Sequence, residues 1–231
     1  MKSLRLFSVV LATTGVLSAF SGCSKDDSSP MAPATATTAN VKVVHASPNA
    51  PGVDLLVDGT VAGTNLMYPE NTGYLAVSAG THNVKVNVTG TSTTVINADL
   101  PLMQNASYSV FAVDSVSKLS TLVITDDLTA PASGNAHVRF IHLSPNAPAV
   151  DIAVTGGAVV WSNKKFKEYT AFTPLAAGTY NLEVRLAGTS TVVLPLPNIT
   201  VANGKIYTVF AKGFVGATGT QALGAQIIVN K

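Results

Sequence analysis

His45 and His142 are each followed nine positions later by an aspartate, Asp54 and Asp151. An imidazole and a carboxylate that meet in space can hold a divalent metal or work as a general-base dyad. Ser47 and Asn49, repeated as Ser144 and Asn146, stand between each pair, among prolines that stiffen the chain. Period-two alternation argues for a quieter use. Val41, Val43 and His45 share one strand face, as do Val138, Phe140 and His142, so each imidazole ends an apolar row. Asp54 falls on the face opposite Val53, Leu55 and Val57. The expectation is therefore a histidine at the rim of a core with its ring bonded to the Ser-Pro-Asn-Ala-Pro loop, and serine and asparagine side chains bonded to that loop's backbone. The motif would lock one corner of a domain, and a shared ligand site at that corner is the rival reading.

Other chemistry is absent by motif. The chain has no Gly-x-Ser-x-Gly elbow, His-Glu-x-x-His, Walker loop, paired-cysteine motif or calcium loop. No catalytic residue, metal or cofactor is expected. Asp54 and Asp58 share a strand face that a cation would suit, although neighbouring surface acids are usually only solvated. Aromatics able to stack on a sugar are Trp161, Tyr68, Tyr74 and Tyr169. A core or interdomain place is the favoured one for Trp161, because a lone tryptophan is usually mostly buried.

The elements that position these residues come in two sets. His45, Ser47, Pro48, Asn49, Ala50, Pro51, Val53 and Asp54 all return 97 positions later, and Tyr108 to Ala112 returns as Tyr207 to Ala211. A period this long marks whole domains, since solenoid repeats run to about 20–50 residues. Short alternating segments bounded by Pro, Gly and Asn predict strands near 41–46, 53–57, 61–66, 73–77, 82–88, 93–98, 107–113 and 119–124 in the first copy. Eight short strands per copy and no sustained helical stripe predict an all-β protein of two tandem antiparallel β-sandwich domains, immunoglobulin-like or transthyretin-like. The domains are expected at 41–130 and 131–231. The linker from Asp126 to Ala136 carries few apolar residues, which predicts little core across the boundary and copies that fold alone.

The motif His-x-Ser-Pro-Asn-Ala-Pro-x-Val-Asp, present twice, resembles the domain of unknown function 4397 family, bacterial β-sandwich modules of secreted and surface proteins. The resemblance covers about residues 40–231. It implies a fold and an extracytoplasmic setting, and no activity.

The chain start bears on address. Lys2 and Arg5, an apolar run from Leu6 to Phe20 and the small pair Ser21-Gly22 read as a signal peptide over 1–22. Phe20-Ser21-Gly22-Cys23 resembles a lipobox, which makes Cys23, the sole cysteine, the expected lipidation site and 23–40 a flexible tether. Lys25, Asp26 and Asp27 are similar to the signal that sends some lipoproteins to the outer face of the outer membrane. The expected location is thus the outer membrane, at the cell surface, with its periplasmic face as the alternative. Beyond the signal, 12 basic residues balance 12 acidic ones. That neutrality argues against a nucleic-acid partner. Partners are expected to be the membrane, through the lipid, and an extracellular protein or glycan. The resulting expectation is a non-enzymatic surface binding, adhesion or scaffold module, with a carbohydrate-binding lipoprotein of a glycan-uptake system as the alternative.

Overall fold

The computed structural model describes residues 37–231; the expected signal peptide, Cys23, Lys25, Asp26 and Asp27 lie outside the described residues. The first copy contributes β1 (Thr38–His45), β2 (Val53–Val57), β3 (Thr60–Leu66), β4 (Asn71–Ser78), β5 (Gly80–Val88), β6 (Thr94–Leu102), β7 (Ser107–Val113) and β8 (Ser120–Asp126). The second repeats them as β9 (Asn135–His142), β10 (Val150–Val154), β11 (Val159–Lys164), β12 (Thr173–Ala176), β13 (Gly178–Leu186), β14 (Val192–Val201), β15 (Ile206–Lys212) and β16 (Gly224–Val229). Among the described residues no helix is long and apolar enough to cross a membrane.

Each copy is a sandwich of two four-stranded sheets, ordered β4-β1-β7-β8 over β3-β2-β5-β6 and β12-β9-β15-β16 over β11-β10-β13-β14. All pairings are antiparallel except β1 with β7 and β9 with β15, which run parallel. In the immunoglobulin order the first, second, fourth and fifth strands share a sheet. Here β1 and β2 lie in different sheets, the transthyretin-like alternative. The β2–β3 hairpin turns on Asp58 and Gly59, both at positive φ, the conformation a two-residue turn of that hand requires.

Alternation sorts the side chains of β5: Val84 and Val86 are buried while Lys85 and Asn87 are not fully covered. β7 behaves differently, with every residue from Ser107 to Val113 buried. A strand covered on both faces loses its alternation. Tyr108, Val110 and Ala112 point into the first sandwich, where they meet Val41, Val43, Leu55 and Val86. Phe111 and Val113, with Val44, Ala46 and Ile124, face the other way into a cluster shared with Ile141, Leu143, Phe210 and Ile228 of the second copy. The rings of Phe111 and Phe210, which occupy equivalent places, meet edge to face at 6.1 Å. This shared core corrects the expectation that little apolar surface crosses the boundary. The linker is indeed apolar-poor; the sheet faces carry the contact.

A buried polar cluster lies on the same interface. Arg139 forms an ion pair with Asp126 Oδ1 at 2.6 Å and donates to Thr208 Oγ1 at 2.8 Å and to Ser109 Oγ at 3.1 Å. Asp126 Oδ2 accepts from Ser109 and from the Tyr74 hydroxyl, and Asn230 joins Thr208 to Tyr74. Lys42, the counterpart of Arg139, donates across to the carbonyl of Val229 at 2.7 Å and lies over the Tyr74 ring. Arg139 lies over Phe172 in the equivalent way. Lys42 and Arg139 are 2% and 1% exposed, so both charges depend on protein partners. Phe166 packs on the shared core and Lys167 donates to Ser120.

Candidate functional site

Each copy carries one corner at which the repeated motif turns from the first strand to the second. His45 Nε2 lies 3.0 Å from the carbonyl of Pro51, and His142 Nε2 lies 3.0 Å from that of Pro148. A carbonyl only accepts, so Nε2 carries the proton and Nδ1 keeps a lone pair. Burial pushes both imidazoles below their usual range and favours this neutral form. Nδ1 of each ring is buried without a hydrogen-bond partner among the described residues.

Serine and asparagine reach outside their own loop. Asn49 accepts from the backbone N–H of Val116, in the β7–β8 connection. Asn146 pairs with Val215 twice, accepting from its N–H at 2.8 Å and donating to its carbonyl at 3.1 Å, and Ser144 donates to the carbonyl of Gly213. The expectation that these side chains bond to the motif's own backbone is thereby corrected. They tie the corner to the connection after the seventh strand. Ser47, in contrast, is buried with its hydroxyl unpaired among the described residues.

The aspartates do not join the histidines. Asp54 accepts from the backbone of Asn65 and from Thr89 and Gly90; Asp151 accepts from the backbone of Asn163 and Gly188. Asn65 and Asn163 are left-handed, with φ of +49° and +50°, so each carboxylate braces a strained residue where the third strand bends. The Asn65 N–H, then Thr89 and Gly90, hold the Asp54 carboxyl below its usual range. No group of three potential metal ligands occurs among the described residues.

A further constellation, marked by no local motif, lies at the far end of the first hairpin. His82 Nδ1 is 2.6 Å from Asp58 Oδ2, and Ser78 Oγ is 3.2 Å from His82 Nε2. Order and distances resemble a Ser-His-Asp triad. The same Nε2 is closer, at 2.8 Å, to the carbonyl oxygen of Ser78, so it donates there and has no lone pair for the serine proton. The Asp58 carboxyl is held below its usual range first by His82 and then by the Asn83 N–H. Asp58 is thus a partner of His82 instead of half of a cation site with Asp54. A fluorophosphonate probe is expected to leave Ser78 unlabelled. Labelling that disappears in His82→Ala would overturn this.

Of the aromatics, Trp161 stacks on Phe140 at 6.4 Å, packs against the second core and points its indole N–H at Thr173. Tyr74 belongs to the interface cluster and Tyr68 lies edge-on to His45, where burial raises its pKa to about 12. Tyr169 is 45% exposed.

The class these observations define is a tandem β-sandwich whose repeated corner is fastened by a histidine, an asparagine and an aspartate. The model of the family described as Domain of unknown function (DUF4397) matches residues 39–153 and 154–230, and the chain belongs to that family. The break between the matches falls at the end of β10, inside the second copy. No curated protein matches the chain.

Proposed function

We propose that the mature protein is a non-enzymatic lipoprotein of the cell envelope, anchored through Cys23 in the outer membrane and presenting its two sandwiches as one stiff binding or scaffold module. The observation that carries this reading is the use of the motif side chains: His45, His142, Asp54 and Asp151 all bond to backbone groups, so the residues best suited to chemistry serve to hold the chain in place. A module of this kind acts by the surface it displays. The carbohydrate-binding alternative retains Tyr169 as its exposed aromatic, while Trp161 is engaged by Phe140.

The anchor is open to direct test. Two or three acyl chains, at about 0.8 kcal/mol per buried CH₂, hold a neutral domain on a membrane where a single chain does not. Cys23→Ser is expected to abolish incorporation of labelled palmitate and leave the precursor uncleaved, with both sandwiches folded. Protease added to intact cells is expected to digest the wild-type protein and spare a variant with Lys25, Asp26 and Asp27 changed to alanine. A fully protected wild-type protein would move the module to the periplasmic face, and palmitate labelling that survives Cys23→Ser would remove the anchor.

A further inference from the structure

The two corners differ in what lies behind them. In the first copy the connection from β7 to β8 is short, and Leu119 packs onto the first core. The connection from β15 to β16 is five residues longer, and Leu223, in the place of Leu119, lines a cavity of about 370 Å³. The cavity opens between the two sheets of the second sandwich, walled by Val150, Val184 and Leu194 and roofed by Val215 and Leu223, with His142 beside it. Its volume lies in the range of small-molecule sites. Walls so apolar do not hold water well, and apolar cavities of smaller size bind hydrocarbons.

The roof is built. Phe214 and Gln221 bond backbone to backbone, as do Leu223 and Phe214, so the loop closes on itself. Gly213, at φ +80°, turns the chain where a Cβ would come within 2.1 Å of the Ala222 carbonyl oxygen, a place no other residue fits. Asn146 and Ser144 then fasten the loop to the corner. The cavity is consequently held open by the motif itself.

We propose that the second sandwich binds a small, neutral, apolar molecule in this cavity. His142 is fully buried in the wall with its ring committed to Pro148, so the site selects by shape and apolarity, and the space belongs to the second copy. A charged ligand is excluded by the walls, which offer it no counter-charge. The site is independent of where the protein is displayed.

The test is methyl-resolved NMR of the full mature chain titrated with toluene and with benzylammonium, which differ by one charged group. Toluene is expected to shift the Val150, Val184, Leu194 and Leu223 methyls saturably and benzylammonium to leave them in place, because the walls offer no counter-charge. Ala147 sits at the rim, and Ala147→Trp is expected to fill the cavity and abolish the shifts, while Ala50→Trp at the first corner leaves them intact. Absence of saturable shifts in the wild-type protein, or shifts that persist in a folded Ala147→Trp, would overturn the site. Equal affinity for the two probes would overturn the apolar character of the site.

Discussion

Replacing Asp126 by alanine is expected to destabilise the protein by about 3–5 kcal/mol in urea unfolding, the cost of leaving buried charge without its counter-ion. Among the described residues Asp126 is the only acid in the cluster that holds both Lys42 and Arg139, and it also accepts from Ser109 and Tyr74. The second copy carries Asn230 in the equivalent place, so no second carboxylate takes over. Changing Arg139→Met and Asp126→Leu together is expected to cost less than the two single changes added, because the charges leave as a pair. A loss under 1 kcal/mol in Asp126→Ala, by the same measurement, would mean that water reaches the cluster. The cluster also sets a pH dependence. Burial lowers Lys42 from 10.5 to about 8, against which Asp126 raises it and Arg139 lowers it further. Between about pH 8 and pH 10 the folded chain has lost a proton that the unfolded chain keeps, so stability rises with pH. Above pH 10 the slope is opposed by Tyr74, whose buried hydroxyl resists ionisation that the unfolded chain allows. Lys42→Met is expected to flatten the rise.

Cutting the chain near Pro131 is expected to yield halves that are unstable apart and reassemble when mixed. Each half would expose one side of the shared core, including Phe111 or Phe210, both fully buried in the whole protein. Full burial of such a side chain contributes about 1.5–3 kcal/mol, and a domain's entire stability is about 5–15 kcal/mol. A few of these side chains therefore decide the outcome, and the polar cluster adds to the loss. Analytical ultracentrifugation and thermal unfolding of 37–131, of 132–231 and of their equimolar mixture measure it. Two monomeric halves that melt as high as the whole chain and do not associate would show that the interface contributes nothing.

The strands and the repeat were legible because both are local or self-comparing signals. Asn83 to Val88 alternates, turn residues punctuate it, and the second copy supplies its own control. The interface was not read, although it left a trace. Val43-Val44, Val110-Phe111, Phe140-Ile141 and Val209-Phe210 put apolar residues on both faces of the central strands, which one sandwich alone has no use for. The linker's composition hid this, since a boundary can be polar in sequence while the surfaces beside it are not. At the corner, the row of side chains that ends in His45 was visible from period two. The partners of Asn49, Asn146 and Ser144 were not, because they come from a connection some 70 residues away whose length differs between the copies. Likewise His82 meets Asp58 only because β2 and β5 are neighbours, which no local pattern states.

The parallel pairing of β1 with β7 has a mechanical consequence. β1 begins at Thr38, so tension applied from the N-terminal side enters the sandwich along this strand. It is flanked by β4 on one side and β7 on the other, with hydrogen bonds lying across the direction of pull. The strand cannot be peeled away one bond at a time from an exposed edge; both ladders must shear together, and the His45 corner must come with them. A tug at that end therefore meets the fold in its most resistant direction, as a load on the centre of a sheet.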